Sequence, residues 1–209
     1  MMVVIYIDDG YNLVCQWGSS MRVSQEEKAK SRERIVNAAS QILRKEGLAK
    51  TGVVEVMSAA QMTHGGFYRH FANREELLTE ALRHSFEEVE RMARTSGELG
   101  NGITTFVQRY LSLEHRDALE QGCPAAALGS ELSRGSRELQ QAFSLGLEEL
   151  IAALQENANT ALARSETLVL LSTLVGALIL ARATNGTLSD EILIASRAHT
   201  AALKSAADR

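Results

Sequence analysis

Between Gln61 and Leu78 the chain reads QMTHGGFYRHFANREELL, with two histidines, two adjacent glycines and three aromatic rings ahead of a charged run. Three chemistries could use such a cluster. A metal site needs ligands at i, i+3 or i+4 on one helical face, but His64 and His70 are six apart, with no cysteine or carboxylate near enough to complete a set. A phosphate loop needs a glycine-rich turn after a strand and a Lys-Ser/Thr ending. Here the preceding segment reads as helix, and Gly65 and Gly66 lead into aromatics. No metal and no cofactor are therefore expected. The third chemistry is nucleic-acid binding, in which a short helix enters the DNA major groove and a preceding helix braces it. Gly65 and Gly66 each cost about 1 kcal/mol in a helix, a loss that makes sense if backbone must approach DNA closely. Phe67 and Phe71, four apart, would lock the segment to a core, leaving Tyr68, Arg69 and His70 to reach outward.

The elements that must hold this segment are helical. Ile35, Ala38, Ala39, Ile42 and Leu43 recur at i, i+3, i+4, i+7 and i+8, one apolar stripe on a helix from about 25 to 46. Gly47 has the position of a C-terminal cap. A second short helix carries Val53, Val56, Met57 and Ala60 on one face, with Thr51 a candidate N-cap. Gln61-Met62-Thr63 forms the turn, Thr63 can cap a third helix over 64–71, and the helix-turn-helix spans 53–71. Asn73 caps a long fourth helix, with Glu76 completing a capping box. Its inner face is Leu78, Leu82, Phe86 and Val89. The spacing predicts five further helices: 103–119, one opened by Gly122-Cys123-Pro124, one over 139–154, then 166–183 and 189–206. The expected fold is all-α with about nine helices.

Charge supports the division. Residues 21–75 hold ten Lys/Arg against six Asp/Glu, whereas 76–209 hold twelve against eighteen, so only the front faces a polyanion. One proline in 209 residues disfavours an all-β fold, and two cysteines give no disulfide framework. The opening MMVVIYIDDGYNLVCQWGSS lacks the basic start of a secretory signal and differs in character from the rest of the chain. Residues 1–20 are expected to be an extension without a role in the fold, in a protein of a reducing cytoplasm. The apolar run 167–183 is short for a membrane span and contains Ser172, Thr173, Gly176 and Arg182, so a buried helix and no membrane are expected.

The segments RERIVNAASQILRKEGL and TGVVEVMSAAQMTHGGFYRHFANREELL, with a helical remainder after them, resemble the TetR family of bacterial transcriptional regulators. The motif covers 28–88: a hydroxyl residue before helix two, the pair Ala59-Ala60, Thr63, Gly65, Phe67-Tyr68 and His70-Phe71. Gln61 stands where the family usually has glycine and should adopt a left-handed conformation. The resemblance implies a DNA-binding domain over 28–88, a ligand-binding and dimerisation domain over 89–209, and no enzymatic activity. It implies phosphate contacts from Tyr68, His70 and Arg74 and base-edge contacts from His64, Gly65, Gly66 and Arg69, with Thr51 and Thr63 joining the set. The implied partners are a double-stranded, palindromic operator, a second copy of the chain, and a small apolar or amphipathic inducer that releases a repressor.

In the rear half, Leu171, Val175, Gly176, Ile179, Ile192, Ser196, His199 and Leu203 are the expected dimer face. Phe86, Phe106, Tyr110, Leu111, Cys123, Leu128 and Phe143 are the candidate inducer pocket. Cys123 starts a helix, where the dipole would favour a thiolate, so an electrophile- or redox-responsive regulator is the alternative.

Overall fold

The computed structural model describes the backbone of residues 17–98, 102–156 and 162–207, and the side chains of 25–98, 102–156 and 162–200. Within them it is all-α, without a strand. The helices are α1 (Trp17–Glu46), α2 (Val53–Ala59), α3 (Arg74–Glu98), α4 (Gly102–Tyr110), α5 (Leu113–Asp117), α6 (Pro124–Leu132), α7 (Arg137–Glu156), α8 (Arg164–Ala183) and α9 (Gly186–Ala207), with 3-10 helices at His64–Arg69 and Leu119–Gln121. Most of the 1–20 extension lies outside the described residues. Its last four residues form the start of α1, at Trp17.

Two other elements differ from expectation. The helix predicted over 103–119 breaks after Tyr110, because Ser112 N-caps a new helix, its hydroxyl accepting the His115 N–H at 3.1 Å. The segment at 64–69 is 3-10 rather than α, a tighter winding that chains sustain only in short pieces. The ends of α1 and α3 obey the sequence logic. Gly47 takes φ 83° and returns its N–H to the Leu43 carbonyl at 3.0 Å. Asn73 Oδ1 accepts the Glu76 N–H at 2.8 Å, while Glu76 reaches back to the Ala72 N–H at 2.7 Å.

Helix α3 is the spine, packing against α1 on one side and α7 on the other. Its first half, through Phe86, joins a front core with Ile35, Leu43, Val56, Met57, Phe67 and Phe71. Leu128 and Leu132 of α6 and Leu139 and Ala142 of α7 complete that core. From Val89 onward α3 joins a rear core with Phe106, Tyr110, Leu150, Leu174 and Leu178. Phe143 and Leu147 touch both cores, so the boundary expected at 88/89 is crossed by α3, α6 and α7.

The α3–α7 crossing depends on Gly146. A Cβ there would overlap the Phe86 ring, which also meets Phe143 edge-on at 5.4 Å. Gly146→Ala should therefore overpack the crossing and lower stability by about 1–3 kcal/mol, read as a lower urea midpoint at unchanged slope.

Behind the rear core, His115 is 8% exposed and holds two backbone groups. Its Nε2 accepts the Cys123 N–H at 3.2 Å, which leaves Nδ1 protonated to donate to the Tyr110 carbonyl at 2.6 Å. Burial pulls its pKa down to about 4, against the contrary pull of the Tyr110 carbonyl and with help from Arg182 and Arg44. The unfolded chain, titrating near 6.5, takes up this proton first. The contribution is thus complete above about pH 6.5 and is lost as pH falls towards 4, some ~3 kcal/mol in all. Urea unfolding at pH 7, 5.5 and 4 should show this fall, and His115→Gln should flatten it.

Candidate nucleic-acid interface

The turn between α2 and the 3-10 segment is a Schellman closure. The Met62 N–H bonds the Met57 carbonyl at 2.9 Å and the Gln61 N–H bonds the Ser58 carbonyl at 3.0 Å. This geometry puts the residue between them in the left-handed region, and Gln61 is there at φ 57°, as its departure from glycine implied. Among the described residues it is the one non-glycine with positive φ.

The 3-10 segment divides cleanly between anchors and an open face. Phe67 and Phe71 are buried and stacked at 5.6 Å, and Tyr68 meets Phe67 edge-on at 5.2 Å while remaining 71% exposed. Thr63, His64, Gly65 and Arg69 are exposed beside it. A Cβ on Gly65 would meet nothing within 4 Å, and one on Gly66 would meet only Met57 Cε and Thr63 Oγ1 at 3.7 Å. Among the described residues nothing requires either glycine, so this surface is flat and open.

Four expected contacts change. Thr51 is fully buried, and its hydroxyl donates to the Gly47 carbonyl at 2.7 Å, so it closes the α1–α2 loop and neither caps α2 nor meets DNA. Gly52 is the N-cap instead. Thr63 stays exposed but makes no side-chain cap; its carbonyl accepts the Gly66 N–H at 2.9 Å. Arg74 is exposed, yet its Nε donates to the Thr51 carbonyl at 2.9 Å and its Nη2 to Leu48, bracing the loop beneath the reading segment. His70 is half-buried with its Nδ1 enclosed and unpartnered, and burial, with Lys28, Arg32 and Arg69 nearby, lowers its pKa. It is a neutral ring in a cationic setting.

Arg32 is the residue the motif did not disclose. Its Nη1 donates to the His70 carbonyl, Nε to Glu80 at 3.1 Å and Nη2 to Glu76 at 3.1 Å, while the guanidinium lies 4.2 Å above the Phe71 ring. One side chain thus ties α1, the end of the 3-10 segment and α3 together. The available signal was a basic residue on the apolar stripe itself, one turn ahead of Ile35 and Val36.

Residues 35–81 match the family described as bacterial regulatory proteins, tetR family. The front of the chain is thus similar to the DNA-binding region of the tetR family. It is 33% identical to the transcriptional regulator TtgR of Pseudomonas putida over 76 residues, which make up 36% of each chain. The aligned stretch thus spans about a third of that relative's length. Among solved structures it resembles E. coli NemR in its reduced form, at TM-score 0.69 and 21% identity over 81% of this chain and 94% of that one. It also resembles a TetR regulator from Chloroflexus aurantiacus, at TM-score 0.66 and 23% identity over 83% and 93%. The likeness beyond the front domain is thus one of fold.

In the rear half, the seven candidate pocket residues are core. All but Phe143 are 0–1% exposed, and they are shared between the front and rear cores. Two clefts open elsewhere. One of about 530 Å³ lies between α5 and the α8–α9 junction, lined by Arg116, Leu119, Arg182, Ser189 and Asp190 among others; one of about 490 Å³ lies between α4 and α9, at Val107 and Arg197. Cys123 also departs from expectation. It is fully buried, and burial pushes its thiol up, outweighing neighbouring N–H groups and Arg182.

The residues of the expected dimer face differ in exposure. Leu171 points into the core at 5% exposure, Val175 and Ile192 pack against it, and Leu203 lies outside the described side chains. Ile179 and His199 are exposed, and Gly176 and Ser196 are partly so. The exposed stripe on α8 runs Leu168, Val169, Ser172, Ile179, Leu180, with the partly exposed Gly176 among them, and is continued by Leu188 and Ile194 on α9. By length and composition α8 could cross a membrane, but its other face is packed into the rear core.

Replacing Gln61 by glycine should relieve the left-handed strain at φ 57°. The expected gain is about 0.5–1 kcal/mol, after the extra unfolded-state freedom of glycine is subtracted, measured as an increased urea midpoint.

Proposed function

We propose that this chain is a homodimeric DNA-binding transcriptional repressor, released from its operator by a small ligand bound in the rear half. The observation that carries the reading is the flat, open face of His64-Gly65-Gly66, flanked by exposed Tyr68 and Arg69 and fixed from behind by buried Phe67 and Phe71. A backbone that shows no Cβ can lie against base edges, while Arg69 and Tyr68 supply charge and hydrogen bonds to bases and phosphates. Lys28, Lys30 and Arg34, exposed on α1, extend the cationic surface.

The apolar stripe on α8 and α9 supports self-association. Leu168, Val169, Ile179, Leu180, Leu188 and Ile194 are each 42–59% exposed, a surface that two-fold pairing into a four-helix bundle would cover, with Gly176 allowing close approach. A two-fold dimer would read a palindrome with half-sites about one DNA turn, ~34–36 Å, apart. The small ligand, of apolar or amphipathic character, finds two clefts in the rear half rather than the aromatic core. The thiol-based alternative has no comparable support, since Cys123 is enclosed and its thiolate disfavoured.

Selection of bound duplexes from a random pool tests the reading, with anisotropy titrations across salt as the second step. The wild-type protein should enrich a palindrome and show a steep salt slope. Arg69→Ala should reduce that slope by about 0.9 if it neutralises one phosphate, or relax sequence preference if it reads a base. Gly65→Ala should weaken binding about tenfold or more at an unchanged melting temperature, because its methyl group meets only the ligand side. No enrichment, or full affinity in Gly65→Ala, would overturn the assignment of this face.

A further inference from the structure

Arg44 belongs to α1, in the front half, yet it is 4% exposed. Its Nε donates to the Ser40 carbonyl at 3.2 Å and its Nη2 to the Ser40 hydroxyl at 3.1 Å. The remaining nitrogen, Nη1, donates to the Gly122 carbonyl at 3.3 Å and lies 2.5 Å from Glu88 Oε2 on α3, an ion contact not aligned as a hydrogen bond. Gly122 is 78 residues away, in the segment between α5 and α6. On its other side stands Arg182 of α8, whose guanidinium a Cβ on Gly122 would overlap.

From Arg182 the contacts run outward without a break. Its Nε donates to the Arg116 carbonyl at 3.0 Å and its Nη2 to the His115 carbonyl at 2.8 Å. Arg116 Nη1 in turn donates to Ser189 Oγ at 3.0 Å and Asp190 at 2.6 Å on α9. His115 returns to the Gly122–Cys123 peptide by accepting the Cys123 N–H at 3.2 Å. The outer end of this chain of contacts opens on the 530 Å³ cleft, so it is reachable from solvent.

We infer that Arg44 is a positioning residue for DNA binding, coupling the α8–α9 end of the molecule to the reading segment through Gly122. The inference rests on the proposed DNA-binding function. Two guanidinium groups from opposite halves meet at one residue that has no side chain to keep them apart. Both are held by carbonyls with fixed directions, so the joint has few arrangements and cannot deform smoothly. A shift of Arg182 or Arg116 moves Gly122, and Gly122 moves Arg44 together with its partners on α1 and α3. Those two helices carry Arg32, Glu76 and Glu80, which clamp the end of the 64–69 segment. The path is a run of hydrogen bonds joined by one close packing contact, at Gly122–Arg182, and a coupling measurement decides whether it transmits.

A double-mutant cycle tests the coupling, using Gly122→Ala, Arg44→Met and the double variant with the duplex selected by the wild-type protein. Each single change should alter affinity by about tenfold at a temperature where unfolding curves show the protein folded. In the Arg44→Met background, Gly122→Ala should have no further effect. Additive losses, or a lower melting temperature with wild-type affinity, would reduce Arg44 to a structural residue. Should Arg44→Met not fold, Arg44→Lys, which keeps the charge for Glu88 and loses the fork, takes its place. Hydrogen exchange separates this inference from the functional reading. The bonded amides of Gly66, His70 and Phe71 should exchange about tenfold faster in Gly122→Ala than in the wild type, whether or not any duplex is enriched. Unchanged exchange there would overturn the coupling itself.

Discussion

A 3-10 segment of six residues, two of them glycine, has no stability of its own. Its hydrogen bonds are poorly aligned and its glycines lose the most conformational freedom on ordering. Everything that could present it to a ligand therefore depends on the burial of Phe67 and Phe71 beneath α1 and α3. Full burial of two such rings contributes about 1.5–3 kcal/mol each, enough to offset the two glycines. Arg32 adds direction to that anchoring. By holding the His70 carbonyl, the Phe71 face and two carboxylates of α3 at once, it sets where the segment ends and how it faces. The carboxylates matter because the guanidinium is two-thirds sheltered, and a sheltered charge without partners is costly.

The same logic governs the loop beneath. The Leu48 N–H bonds Glu131 of α6 at 2.8 Å, its carbonyl takes Arg74 of α3, and Thr51 closes back onto Gly47. The entry to α2 is thus held by residues of two other helices and by a contact within the loop itself. Arg74, which looks in sequence like a free cation at a helix start, donates to the Thr51 and Leu48 carbonyls of a short, partly buried loop.

Local grammar was legible in the chain because its causes lie within a few residues: the stripe from Ile35 to Leu43, the Gly47 cap, the Asn73–Glu76 box and the left-handed Gln61. So was the anchoring role of Phe67 and Phe71, since a four-residue repeat of rings before a charged helix leaves few alternatives. The 3-10 winding at 64–69 and the break at Ser112 were not legible, because competing helical geometries differ by little energy and tertiary packing decides. Thr51, Arg32, Arg44 and His115 were hidden for a different reason. Each acts on a partner whose position is set only by the folded topology, as with Arg44 and Gly122. The aromatic rear residues are part of the cores in the structure, and a buried ring looks alike in sequence whether it lines a cavity or fills one.

The rear half then acquires a definite mechanical meaning. Helix α3 runs 25 residues, roughly 37 Å at 1.5 Å per residue, and changes from front core to rear core between Phe86 and Val89. A spine embedded in both cores cannot tilt at one end alone without opening the α7 crossing, where Gly146 lies directly against Phe86. Motion between the halves must therefore involve α3 moving with its neighbours, and the contacts that choose among such positions are those joining α1 and α3 to the segment before α6. Most of the neighbouring packing there is apolar and tolerant of small shifts. The Arg44–Gly122–Arg182 joint is directional, buried at Arg44 and Gly122 and partly exposed at Arg182, so it resists intermediate positions more than the apolar surface around it.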